Sequence, residues 1–268
     1  MAEVLSGYFD LADLNYCTLP LFEETWGSFK KKIMKHDMLH RKEWIMGFLF
    51  FSALKLYARI NGVTTKDKPL YWLTLLYMYV DGAMDIDNIS KETLYESYVN
   101  PTSDYWKKVH CYKSKLESYN ENINFLPLLQ AQIESSERGD WNTALSKGKE
   151  TGNLVDLIVF GEIRDGGNIA AVIQLVDDLM DIPEDIKANI TTPATTSYKD
   201  GTLTELLDKT SHEIILLPQP YPIFFSYVIA YIVQKYPTHI NGYNKLREPS
   251  FDPLWNTFLR EEINVRRT

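Results

Sequence analysis

Three acids in the stretch QLVDDLMDIPED, namely Asp177, Asp181 and Asp185, recur at every fourth residue. On a helix that spacing stacks carboxylates along one face, where like charges repel. Leu175, Val176, Leu179, Met180 and Ile182 surround them, so the run is not a solvated acidic tract, and Asp178 adds a fourth acid. A second cluster, YMYVDGAMDIDN, sets Asp81 and Asp85 at the same spacing, with Asp87 two residues further on. It closes the apolar run 70–80, so its acids stand at the negative end of a buried helix. Burying unpaired carboxylates is costly, and something positive is expected to compensate them.

Hard divalent cations do this well. Mg²⁺ takes oxygen ligands and is commonly held by one or two carboxylates plus substrate phosphates. Two acidic stripes on facing helices would hold Mg²⁺ ions with a diphosphate between them, and the metals would draw charge off the leaving group. If that group departs from an allylic carbon, a carbocation remains, which aromatic faces and a dry pocket protect from water. The competing reading is a pair of solvent-facing stripes. Two such clusters, each fused to an apolar helix, are harder to dismiss than one, and both readings stay open.

The elements that must position these acids are helices. Runs that alternate with period two are few, and hairpin dipeptides between β-branched runs are absent. The pattern predicts helices over 22–36 and 41–60, the latter stopped by Asn61-Gly62. A third starts at Asp67 with Pro69 and reaches Asp87, and Ser90 and Ser103 are caps for two more. Segments 123–137 and 140–164 follow, the second capped by Asp140 and ended by DGGN at 165–168. The acidic stripe then lies on a helix over 168–186, which Pro183 should kink or end. Residues 189–201 are rich in Thr and Pro and read as a loop. Helices near 202–210, 221–236 and 251–263 complete an all-α, single-domain bundle over residues 1–268.

Composition narrows the function. A net charge of −8 gives a nucleic-acid role no global support. The apolar runs 45–54, 70–80 and 221–233 are too short to span a bilayer. Cys17 and Cys111 are isolated, which suggests no disulfide framework and fits a reducing, cytoplasmic setting; no secretory signal is read at the N-terminus. Aromatic residues make up 13% of the chain, enough for a bulky core or for the wall of a cavity. His36 and His40 share the four-residue spacing but lie in the basic stretch KKKIMKHDMLHRK, a solvated face.

QLVDDLMDIPED resembles the second aspartate-rich motif of class I isoprenoid synthases. Its DDLMD core is similar to that of trans-prenyl diphosphate synthases, and the wider pattern from Gln174 to Asp185 to that of squalene and phytoene synthases. DGAMD resembles the DxxxD first motif of the squalene and phytoene group, with Gly82 where chain elongators carry a second Asp. KGKETGNL at 147–154 resembles the Lys-Thr-Gly segment on the kinked helix of prenyl diphosphate synthases, and HRKEWIMGFLFF at 40–51 lies roughly where elongators keep basic residues. The Arg pair that follows the first motif in elongators is missing.

The resemblance implies an isoprenoid-synthase-type bundle around a central cavity. It implies Mg²⁺ held by Asp81, Asp85, Asp177, Asp178, Asp181 and Asp185, with Asp81, Asp85, Asp177 and Asp181 catalytic. Arg41, Lys42, Lys149 and Lys187 would meet the diphosphate, and Tyr71, Trp72, Tyr77, Tyr79 and Thr151 would line the cavity. The implied substrate is an allylic isoprenyl diphosphate of ten to twenty carbons, used by a terpene synthase or prenyl coupling enzyme. Head-to-tail elongation with isopentenyl diphosphate and a non-catalytic regulatory subunit are the alternatives. A homodimer is common in the elongating branch, and the sequence leaves oligomeric state open.

Overall fold

The computed structural model describes residues 41–87 and 91–219, together with positions 29, 221, 222, 225, 228, 229 and 232. Among the described residues there are ten helices and no strand, as the periodicity predicts. They are α1 (Arg41–Ile60), α2 (Asp67–Asp87), α3 (Lys91–Val99), α4 (Asp104–Glu117), α5 (Leu126–Arg138), α6 (Trp141–Val159), α7 (Gly166–Met180), α8 (Ile182–Ala188), α9 (Pro193–Asp200) and α10 (Leu203–Ile215). The described residues divide into two compact units between Ala171 and Val172, inside α7. The expected helices over 22–36 and 251–263 and the expected cap at Ser90 fall largely or wholly outside the described residues; Phe29, Tyr221, Pro222, Phe225 and Ile232 are helical.

Local chemistry sets most boundaries. α1 stops where Gly62 takes φ +69° and its N–H returns to the Arg59 carbonyl at 3.0 Å. Ser103 caps α4 by accepting from the Trp106 N–H at 3.2 Å, the expected role. Asp140 and Thr143 form a reciprocal capping box at the start of α6. That contact, with Arg138 nearby, holds the Asp140 carboxyl below the usual carboxylate range.

In the first unit α2 packs against α1 and α4, and α5 against α6. The α1–α2 seam is aromatic: Phe50 stacks on Tyr77 at 5.1 Å, and Phe29 meets Phe51 at 5.5 Å and Tyr71 at 5.9 Å. The start of α7 crosses α6 closely. A Cβ on Gly148 would stand 2.5 Å from the Ala170 oxygen, and one on Gly152 would run into the Gly166 backbone. In the second unit α9 packs on α8 and α10.

Three expectations are corrected. α6 ends at Val159 rather than near 164, and Gly166-Gly167 open α7 instead of terminating α6. The reason is Asp156, described below. Residues 189–201 are not all loop: α9 occupies Pro193–Asp200. Thr192 caps it in a box with Thr195, Pro193 fills the first turn where no N–H is needed, and Gly201 closes it at φ +73°. α10 runs to Ile215, five residues beyond the expected end.

Candidate functional site

α7 resolves the stripe of acids into residues with different surroundings. Val172, Leu175, Val176 and Leu179 form its buried face, and Ile173 and Asp177 lie on the exposed one. Asp178 is only 8% exposed and accepts from Gln174 Nε2 at 2.8 Å. That amide stabilises a carboxylate that would otherwise be costly to bury. α7 ends at Met180, and Asp181 (φ −96°, ψ 8°) forms the joint to α8.

Pro183 stands in the first turn of α8, so the expected break occurs here. The backbone nonetheless keeps its step: the Asp181 N–H reaches the Asp177 carbonyl at 3.0 Å, and the Asp185 N–H the Asp181 carbonyl at 2.8 Å. Asp177 and Asp181 are therefore exposed carboxylates one backbone turn apart. Asp185 is half-buried, and its carbonyl accepts the Ile190 N–H at 2.8 Å as α8 closes on Asn189 at φ +57°.

Among the described residues no three His, Cys, Asp or Glu side chains gather as a metal-holding group, so Asp177, Asp181 and Asp185 are not brought together as a trio. Mg²⁺ asks for fewer: one or two carboxylates with water and phosphate oxygens. The hard oxygen pair of Asp177 and Asp181 fits that demand. Asp178 fits it less well, because Gln174 already engages it below the surface.

The first cluster lies in the other unit. Asp81 is exposed on the last turns of α2; Asp85 belongs to the same helix, and its side chain lies outside the described residues. Gly82 between them is covered: a Cβ there would stand 2.6 Å from Tyr105 Cε1. Arg41 and Lys42 open α1, their side chains again outside the described residues. Lys149 is exposed on α6, and Lys187 is exposed in the last turn of α8. The Thr151 hydroxyl donates to the Lys147 carbonyl at 3.0 Å within an α6 that runs unbroken from Trp141 to Val159.

Of the aromatics assigned to a cavity wall, Tyr71, Tyr77 and Tyr79 touch other rings. Tyr79 is fully buried, stacked on Tyr112 at 5.9 Å and edge-on to Tyr105 at 6.0 Å. Tyr71 is buried beside Phe29 and Phe51, and Trp72 carries Lys68 Nζ 5.0 Å from its ring centre. Burial raises the Tyr71 hydroxyl well above its ordinary value, with Tyr112 and Tyr79 adding to it; burial pushes Tyr112 up to about 12, with Cys111 adding. A groove of the first unit lies elsewhere, about 790 Å³ between the ends of α4 and α6, lined by Glu117 to Asn122 and Leu157 to Gly161.

One residue of consequence was not singled out by its motif. Asp156 is fully buried. Its Oδ1 accepts from the Tyr57 hydroxyl at 2.6 Å, and its Oδ2 from the backbone N–H of Arg164 at 2.6 Å and of Gly166 at 2.9 Å. It thus ties the turn 160–165 back onto α6 and caps the start of α7. The signal was an acid inside NLVDLIVF, a run with no polar face for it, ten residues before Gly166.

No protein-family model, curated protein or solved structure matches this chain. No helix among the described residues is long and apolar enough to cross a membrane.

Proposed function

We propose that the chain is a Mg²⁺-dependent class I isoprenoid synthase acting on an allylic isoprenyl diphosphate of ten to twenty carbons, as a terpene synthase or prenyl coupling enzyme. The observation that carries the reading is the exposed pair Asp177 and Asp181, one turn apart where α7 gives way to α8 in a chain whose described elements are all helices. These two carboxylates would hold the metal, and Asp81 and Asp85 are a second pair of the same spacing. When bound, Mg²⁺ would draw charge off the departing diphosphate. The ammonium groups of Lys149 and Lys187, with Arg41 and Lys42, would bind diphosphate oxygens. A wall that excludes water would draw on Tyr71, Trp72, Tyr77, Tyr79 and Thr151, as the resemblance implies. Isolated cysteines support a reducing, cytoplasmic setting for such an enzyme.

Incubation with geranyl, farnesyl and geranylgeranyl diphosphates tests this, each with and without isopentenyl diphosphate, in Mg²⁺ or EDTA, with products read by mass spectrometry. A hydrocarbon or alcohol formed from one allylic substrate only in Mg²⁺ is the expected result. A longer diphosphate appearing only with isopentenyl diphosphate would make the chain an elongator. No product in any mixture would overturn catalysis and favour the regulatory-subunit alternative.

A further inference from the structure

We propose that Tyr105 is the positioning residue for the Asp81 carboxylate, a role that rests on the synthase reading above. A glycine inside a helix is unfavourable, so Gly82 in α2 asks for a reason. The Tyr105 ring supplies it. A Cβ on Gly82 would stand 2.6 Å from Cε1 and 3.0 Å from Cδ1 of that ring, closer than side chains approach. The ring therefore seats on the bare backbone of α2, immediately beside Asp81.

Its other edge is fixed. Tyr105 packs edge-on to Tyr79 at 6.0 Å, and Tyr79, fully buried, stacks on Tyr112 at 5.9 Å. Tyr79 and Gly82 are three apart on α2 and share a face; Tyr105 and Tyr112 are seven apart on α4 and share another. Tyr105 thus clamps the turn of α2 from which the exposed Asp81 projects. That turn cannot roll about the helix axis without driving its backbone into the ring. Nor can position 82 carry a second carboxylate beside Asp81, because the ring occupies its place. Gly82 is on this account a seat for Tyr105.

The test uses Mn²⁺ as the probe, its binding to the full-length protein followed by electron paramagnetic resonance, with thermal unfolding and allylic diphosphate turnover run alongside. Tyr105→Ala and Gly82→Ala should each weaken Mn²⁺ binding about tenfold, the scale of outer-shell support of a metal ligand. Tyr105→Leu, which keeps bulk in the seam but not the flat ring, should do the same, and Tyr105→Phe should bind as the parent does. Leu128→Ala, a core truncation on α5, should lower the melting temperature without changing Mn²⁺ affinity. If Asp81→Asn weakens Mn²⁺ binding while all three Tyr105 and Gly82 variants that remove the seat leave it unchanged, the positioning role is wrong and the synthase reading stands. If the parent neither binds Mn²⁺ nor turns over any allylic diphosphate, the synthase reading fails and the role of Tyr105 falls with it.

Discussion

The Tyr57 hydroxyl donates to Asp156 Oδ1 at 2.6 Å, joining α1 to a carboxylate that solvent does not reach. The same carboxylate holds two backbone N–H groups, so its three donors form one unit. Tyr57→Phe keeps the ring against Phe160, 5.6 Å away, and removes only the hydroxyl. It should cost about 1–3 kcal/mol, the penalty for leaving a buried acceptor short of a donor. Asp156→Ala should cost more, about 3 kcal/mol or above, because the N–H groups of Arg164 and Gly166 lose their acceptor together. Urea unfolding of the two variants checks the order; equal losses would mean that the backbone contacts contribute little.

Gly152 and Gly82 should respond differently to the same added methyl group. A Cβ on Gly152 meets the backbone of Gly166 and Gly167, which cannot swing aside, whereas one on Gly82 meets a tyrosine ring. Alanine gains about 1 kcal/mol of helix propensity over glycine at either site. At Gly152 overpacking should reverse that gain and leave a net loss of about 1–3 kcal/mol. The loss at Gly82 should be smaller. Melting temperatures of Gly152→Ala and Gly82→Ala decide this, and a stabilised Gly152→Ala would mean that α6 and α7 cross less closely.

Tyr112 makes stability pH-dependent in the alkaline range. Burial raises its hydroxyl from 10.0 to about 12. Between those values the unfolded chain releases the proton and the folded chain keeps it, so stability falls as pH rises. The contribution is fully present below pH 10 and is lost as pH climbs towards 12. Tyr71 is shifted in the same direction and adds to the fall. Urea midpoints measured from pH 8 upward should decline more steeply in the parent than in Tyr112→Phe. Parallel curves would contradict the shift.

Helix boundaries were legible where a cap residue carried its own signature. Asp67, Ser103, Asp140 and Gly62 each stand where the periodicity starts or stops. α9 carried the same kind of signature in Thr192, Pro193 and Gly201, but its Thr-rich interior has low helix propensity and hid it. DGGN was misread because glycine is favoured just past the end of a helix, although it is also accepted at a start. At Gly166 the deciding factor is the Asp156 carboxylate, ten residues away, which a local pattern cannot register. The acidic site was legible as a spacing only. Four-residue steps gave the one-turn backbone spacing of Asp177 and Asp181, but not the division of adjacent acids between solvent and interior.

That division gives the sharpest functional prediction. Asp177 is exposed, while its neighbour Asp178 is buried and held by Gln174 at 2.8 Å. If the chain ionises an allylic diphosphate with Mg²⁺, Asp177→Asn should lower turnover by about a hundredfold or more, the scale of losing one preorganised electrostatic contact to a developing charge. Its melting temperature should hardly change, because an exposed side chain has little to lose on substitution. Asp178→Asn should behave the other way round. An amide there cannot accept as strongly from Gln174 Nε2, so the loss should be mainly in stability, about 1–3 kcal/mol. Turnover of Asp178→Asn, measured where both proteins are folded, should stay within a few fold of the parent. Turnover and melting curves on the two variants separate the roles. Equal kinetic losses would make Asp178 a ligand after all and would require α7 to release it from Gln174 in the working enzyme. An unchanged rate in Asp177→Asn would remove the exposed pair from the mechanism altogether.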